Sequence, residues 1–303
     1  MRTKTLAISL LVPALLLSAC GRLNDSGAGG GTGASGGTGG IGGTGTTGGA
    51  GISHPTADDD LILRMETGGG FVAPSFTLKS VPTFSLYGDG RAITEGPIPE
   101  IYPGPALPNL QVSRLTEPAI QAILQAASDA GLLGADASYP YPCIADAGTT
   151  TFTVVAEGAT HTVSAYALGT DAGGACDHTD AEARAKLQGF ASKLGDLESW
   201  LPAGSVGASQ GYTPTELRVY VQPYQPDPQL QETPVDWPLS EPLATFGEPN
   251  SNMTDSRCGV VSGDDFATLY PLAASANELT PWRSEGTSYG LIFRPLLPDE
   301  HTC

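Results

Sequence analysis

Apolar and polar residues alternate through Leu61, Leu63 and Met65, and this period of two predicts a strand ended by Gly68-Gly69-Gly70. The same alternation flanks Gly88-Asp89-Gly90, through Thr83–Tyr87 on one side and Arg91–Thr94 on the other. Two apolar-patterned runs around a turn that needs positive φ predict a hairpin, with Asp89 as a turn residue. A second hairpin is expected from Thr150–Ala156 and His161–Leu168 around Glu157-Gly158-Ala159. Glu216–Gln222 reads as a strand with Leu217, Val219 and Val221 on one face, and Tyr289–Phe293 as the last strand.

The period lengthens to that of a helix in three places. Between Glu117 and Ala130, the residues Ile120, Ile123, Leu124 and Ala127 share one face. Thr116 is the expected N-cap, Pro118 lies in the first turn, Gly131 is the stop, and Leu115 is placed to staple the start. A second helix should follow Thr179-Asp180-Ala181-Glu182, which has the form of a capping box. Its stripe is Ala183, Leu187, Phe190, Leu194, Leu197 and Leu201. A third helix is expected from Asp264, capped by Ser262 with Asp265 three positions on, and interrupted by Pro271. With Cys258–Val261 before it and Tyr289–Phe293 after it, this helix is compatible with a βαβ unit. The proline-rich stretch 101–108 reads as an irregular connection, and 223–249 as an extended crossing segment or an interdomain strap. Strands and helices in this order predict an α+β fold: mostly antiparallel sheet, two or three packed helices, stapled by disulfides.

The beginning of the chain follows a different pattern. Arg2 and Lys4 precede an apolar run from Leu6 to Ala19, too short to span a bilayer, which takes about 20 apolar residues. These are the proportions of a secretory signal peptide. The run ends in Leu17-Ser18-Ala19-Cys20, which resembles the lipobox of bacterial lipoproteins: an aliphatic residue, two small residues, then Cys. That resemblance implies cleavage before Cys20 and a diacylglycerol on its sulfur. Two or three acyl chains anchor stably where one does not. Gly21, in place of Asp, resembles the pattern of outer-membrane sorting if the cell is Gram-negative. Three further segments, Tyr87–Arg91, Tyr102–Asn109 and Arg294–Glu300, are similar to those of uncharacterised secreted lipoproteins of bacteria. That likeness implies location and disulfides, and no activity or cofactor.

Residues 27–51 hold 15 glycines in 25 positions, a composition that cannot build a core. As a flexible coil, 21–57 would span about 30 Å. The expected organisation is therefore a signal peptide over 1–19, a lipidated Cys20 with a linker over 20–57, and an α+β region over 58–303 with a possible division near 225–250. G-x-G-x-x-G matches inside the linker have neither the strand before nor the helix after that a dinucleotide site needs.

The formal charge is −18, and cleavage before Cys20 removes Arg2 and Lys4 to leave −20. Such a surface repels nucleic acid and anionic headgroups, so the membrane link falls to the lipid and no nucleic-acid partner is expected. The location implied is extracytoplasmic. With Cys20 committed to lipid, Cys143, Cys176, Cys258 and Cys303 remain, an even set that an exported chain would oxidise. Of three pairings, Cys143–Cys176 with Cys258–Cys303 keeps each bridge within its own half. Cys176-Asp177-His178 is too closely spaced for a structural zinc site. Asp177, Asp180 and Glu182 suit a helix N-terminus better than calcium. No metal or cofactor is called for.

One catalytic pattern is present. Gly207-Ala208-Ser209-Gln210-Gly211 matches G-x-S-x-G and resembles the nucleophile elbow of cutinase-like esterases. That elbow stands between a strand and a helix, with acid and His following. Here a loop precedes Ser209, Pro214 and a strand follow, and the only later His is His301, with Asp255 or Asp264 as possible acids. His161 sits in a strand and His178 beside Cys176. A serine hydrolase using Ser209 is the enzymatic alternative, and a cation- or peptide-binding surface receptor is another. The leading expectation is a lipid-anchored, non-enzymatic binding or structural module.

Overall fold

The computed structural model describes residues 51–170, 180–251 and 253–303. The leader, Cys20, nearly all of the glycine-rich stretch, Cys176, His178 and Thr179 lie outside them. The chain starts with β1 (Leu61–Gly69), a one-and-a-half-turn helix α1 (Pro74–Lys79), β2 (Phe84–Tyr87), β3 (Arg91–Glu95) and β4 (Leu110–Arg114). Helix α2 (Glu117–Asp129), β5 (Ala137–Tyr139), β6 (Gly148–Ala156), β7 (Ala159–Tyr166), α3 (Ala181–Gly195) and β8 (Gln210–Gly211) follow. The remainder is β9 (Glu216–Pro223), β10 (Val235–Asp236), β11 (Glu248–Pro249), β12 (Arg257–Ser262), α4 (Gly263–Ser275), β13 (Pro281–Ser284) and β14 (Thr287–Pro295).

The result is a sheet-dominated mixed α/β structure. Eight strands run in the order β5-β7-β6-β1-β2-β3-β4-β8, and six in the order β10-β13-β14-β9-β12-β11. Each sheet is mixed because one marginal pair is parallel, β5 with β7 and β10 with β13. The two expected hairpins form, β2 with β3 and β6 with β7. The second turns at Glu157 (φ 52°) and Gly158 (φ 73°), the paired positive φ that a two-residue hairpin requires.

Alternation places the two larger cores. Phe84, Leu86, Phe152, Val154 and Val163 of the first sheet pack with Ile120, Ile123 and Leu124 of α2 and with Leu187, Phe190 and Leu194 of α3. In the second sheet Leu217, Val219 and Val221 of β9 face Leu269 and Ala273 of α4. Tyr220, one residue out of phase, points the other way and meets Leu78 of α1. Truncating one of these buried residues, such as Phe152→Ala, carries a cost of about 3–5 kcal/mol.

Several local expectations are corrected. Thr116 occupies the N-cap of α2 but its side chain makes no capping bond. The N-cap of α3 is Asp180, and the helix ends at Gly195, so Leu197 sits in a separate 3-10 turn and the stripe is not continuous. Pro271 lies inside α4 without ending it. Helix α1 has no apolar stripe; it buries no residue fully and escapes a periodicity search. The βαβ arrangement does not form. Helix α4 leads into the β13–β14 hairpin, and β9 inserts between β12 and β14, antiparallel to both. The proline-rich stretch 223–249 is not a mere strap: Trp237, Leu243 and Phe246 fill the second core. Phe246 lies against Gly259, where a Cβ would collide with the ring. Packing also begins before Asp58, because Ile52 N–H donates to Gln121 Oε1 of α2 (2.8 Å).

Candidate functional site

Strand β3 ends at Glu95, and the chain does not return to the sheet until Leu110. The intervening loop, 96–109, contains five prolines. Each removes a donor and fixes φ, so the loop cannot collapse onto the sheet as a further strand. Its base is closed by Gly96 N–H to the Asn109 carbonyl (2.7 Å) and by Asn109 Nδ2 to the Pro97 carbonyl (2.9 Å). Its far side is tied to the end of α4. Ala106 N–H donates to Ala276 O (3.1 Å), Glu278 N–H to Gly104 O (2.9 Å), and Gly104 N–H to Glu278 Oε1 (3.2 Å). The peptide between Tyr102 and Pro103 is cis.

This loop, α1 and Glu278 enclose a cleft of about 410 Å³. The size falls in the range of small-ligand sites, roughly 300–1,000 Å³. Its wall is apolar, formed by Phe76, Ile98, Ile101, Leu107 and prolines. Phe76, Ile98 and Ile101 are 55–62% exposed, a large apolar surface left to water beside a concave site. Two acids interrupt it. Glu278 is paired with Lys79 (3.0 Å). Burial pushes its carboxyl up, but Lys79 and the Gly104 N–H outweigh this and hold it below the ordinary range. Glu95 stands on the cleft rim, and among the described residues its carboxylate has no hydrogen-bond or ion-pair partner. Although its surface is largely open, the nearby protein desolvates it enough to raise its carboxyl above the ordinary range. A cleft of this kind, apolar with Lys79, Ser80, Glu95 and Glu278 at its edges, can bind a small ligand.

A second polar arrangement is enclosed. Arg64 Nη2 donates to Asp299 Oδ1 (2.7 Å) and to Tyr87 Oη (3.1 Å), and Tyr87 Oη donates to the same Asp299 oxygen (2.8 Å). Beside them Arg294 grips Glu300 with two bonds (2.6 and 2.9 Å), while Leu297 N–H donates to Glu300 Oε2 (3.0 Å). Burial raises the Tyr87 hydroxyl far above its ordinary value, so it stays a neutral donor. Burial would also raise Glu300, but Arg294, the Leu297 N–H and Arg64 hold it below the usual carboxylate range. Asp299 ties the C-terminal tail to β1 and β2 of the first sheet, and Glu300 ties it to β14 of the second. These groups bond chiefly to one another, which makes the arrangement a latch.

The sites expected from sequence are scattered. Ser209 stands on an exposed stretch at the sheet edge, its hydroxyl 3.4 Å from Gln111 Oε1. The chain then enters β8 and β9 with no helix between. His161 Nδ1 lies 2.8 Å from the Gly134 carbonyl, and His301 Nδ1 3.4 Å from Glu216 Oε2. Asp89 holds the hairpin turn through Arg91 (2.8 Å). Asp264 belongs to the first turn of α4, and Asp255 adopts a positive φ of 57° in a turn. Cys258 and Cys303 form a disulfide with Cα atoms 6.1 Å apart. Cys143 is also disulfide-bonded. Among the described residues no group of three or more His, Cys, Asp or Glu could hold a metal ion, and no helix is long and apolar enough to cross a membrane.

Sequence reasoning treated 101–108 as a connection and passed over Glu95. The available signal was the density of prolines interleaved with Ile98, Ile101 and Leu107, an unusual composition for a loop that only connects. No family model, no curated protein and no solved structure matches this chain.

Proposed function

We propose that this chain is a lipid-anchored, extracytoplasmic protein of the bacterial envelope that acts as a binding module through the cleft beneath residues 96–109. The observation that carries the reading is the cleft: an apolar, proline-stiffened wall, bonded at both ends and left open to solvent. A stiff site loses little freedom when a ligand enters, so more of the contact energy appears as affinity. The lipobox-like Leu17–Cys20 supports the anchor, and the oxidised Cys258–Cys303 pair supports an oxidising compartment. Assignment to the α+β class belongs to the same reading, supported by antiparallel pairing of β1 through β4 in chain order with β6 alongside β1.

Two measurements test this. Metabolic labelling with a clickable palmitate analogue should mark the protein at Cys20 and be lost in Cys20→Ala; an unmodified amino-terminal peptide would refute the anchor. Nile red, a neutral apolar fluorophore, should brighten on the protein, and Ile98→Asp with Ile101→Asp should abolish this. Both side chains are mostly exposed, so the double variant should fold normally. Unchanged fluorescence with that variant would remove the cleft from the account.

A further inference from the structure

The cleft has an electrical asymmetry that bears on what it binds. On one wall Glu278 is neutralised by Lys79 and bonded to the Gly104 N–H. On the other, Glu95 is uncompensated. Its backbone is fixed beside the cleft. Glu95 is paired with Leu110 in the β3–β4 ladder, and the next residue is locked by the Gly96–Asn109 hydrogen bond (2.7 Å). A side chain at Gly96 would also strike Asn109 Nδ2, 2.7 Å from the position of a Cβ, so that corner is filled. Glu95 is therefore fixed by its backbone at the lip of an apolar cavity, and among the described residues its charge has no ion-pair partner.

Resting on the reading of the cleft as a binding site, we propose that its ligand is an apolar molecule carrying a protonated amine, with the amine on Glu95 and the apolar body against Ile98, Ile101 and Phe76. The complementarity is specific in sign. An anionic amphiphile would meet Glu95 and the protein's net charge of −18 with repulsion. A neutral one would gain nothing from Glu95, whereas a cation gains a charge-assisted hydrogen bond there. The partial desolvation that raises the Glu95 carboxyl is the same condition that strengthens a hydrogen bond to an ammonium group.

The test uses the full chain carrying Cys20→Ala, so that no acyl chain competes for apolar probes. Binding of dansylcadaverine, an apolar primary amine, is compared by fluorescence titration with its N-acetyl derivative, which lacks the charge. An ion pair at a largely open carboxylate predicts that the amine binds about two- to fivefold more tightly. Glu95→Gln should erase the difference while leaving the affinity of the acetylated probe unchanged. Because Glu95→Gln also removes an unpaired, partly desolvated acid, its thermal midpoint at pH 7 should not fall below that of the parent, which separates lost binding from lost folding. Equal affinity for both probes, or an amine preference that survives Glu95→Gln, would overturn the ligand class and leave the cleft intact. Failure of both probes and of Nile red would overturn the cleft itself.

Discussion

The tail latch gives the sharpest test of the packing argument. Glu300→Gln removes the carboxylate that accepts two bonds from Arg294 and one from the Leu297 N–H. The Arg294 side chain is only 9% exposed, so its charge cannot be rehydrated without opening the structure. Its remaining bond, Nε to the Ser80 carbonyl (2.7 Å), is to a neutral group. Breaking a buried pair by removing one partner costs about 3–5 kcal/mol. For a domain of this size that is a fall of about 6–20 °C in thermal midpoint. Urea unfolding at pH 7, with disulfides intact, measures it directly. The companion variant Arg294→Met with Glu300→Leu removes both charges and should recover most of the loss, since an apolar pair escapes desolvation. The pH dependence carries a sign. Glu300 is held below its ordinary value of 4.5, so its contribution is fully present above that pH. It is lost as pH falls through the lower, folded-state value, and Glu300→Gln should flatten that acid limb. A Glu300→Gln loss below about 1 kcal/mol, with an unchanged acid limb, would show that the tail is held by apolar contacts such as Leu297 and that the pair is incidental.

Three further outcomes are expected. Replacing Cys258 and Cys303 together by Ser opens a bridge of sequence separation 45 and should lower stability by about 4 kcal/mol in the chain-entropy account; an unchanged urea midpoint would contradict it. Gly88→Ala places a Cβ 2.6 Å from the Thr56 carbonyl carbon and should cost at least about 1–3 kcal/mol, with increased amide exchange in residues 52–60 as the local signature. Arg184→Met withdraws a buried guanidinium that donates to the carbonyls of Tyr139 (3.2 Å), Tyr166 (2.7 Å) and Ala167 (3.1 Å). Unsatisfied buried acceptors cost about 1–3 kcal/mol each, so thermal unfolding should fall by several degrees.

Much of the local structure was legible because it is encoded within a turn or two of chain. The period of two in β1 and β9, the period of 3.6 in α2, and the turn residues of both hairpins all report which face of a short element seeks the interior. Capping details were less legible. Thr116 has the extended backbone of an N-cap, but Pro118 offers no N–H and the Ala119 N–H donates to the Thr116 carbonyl, so the side chain makes no capping bond. The buried arginines were not singled out for a related reason. The acceptors that hold Arg184, Arg64 and Arg294 lie 18, 235 and 214 positions away in the chain, beyond the reach of local pattern.

The order of strands, the filling of the second core by Trp237 and Phe246, and the cleft beside Glu95 belong to long-range pairing alone. Alternation says that β9 buries Leu217, Val219 and Val221, but not that β12 and β14 will close on it from both sides. A loop of prolines announces stiffness, but it becomes a wall only when the end of α4 arrives to bond it. Periodicity is a property of neighbours in sequence, whereas a cavity is made by segments whose meeting depends on every intervening turn.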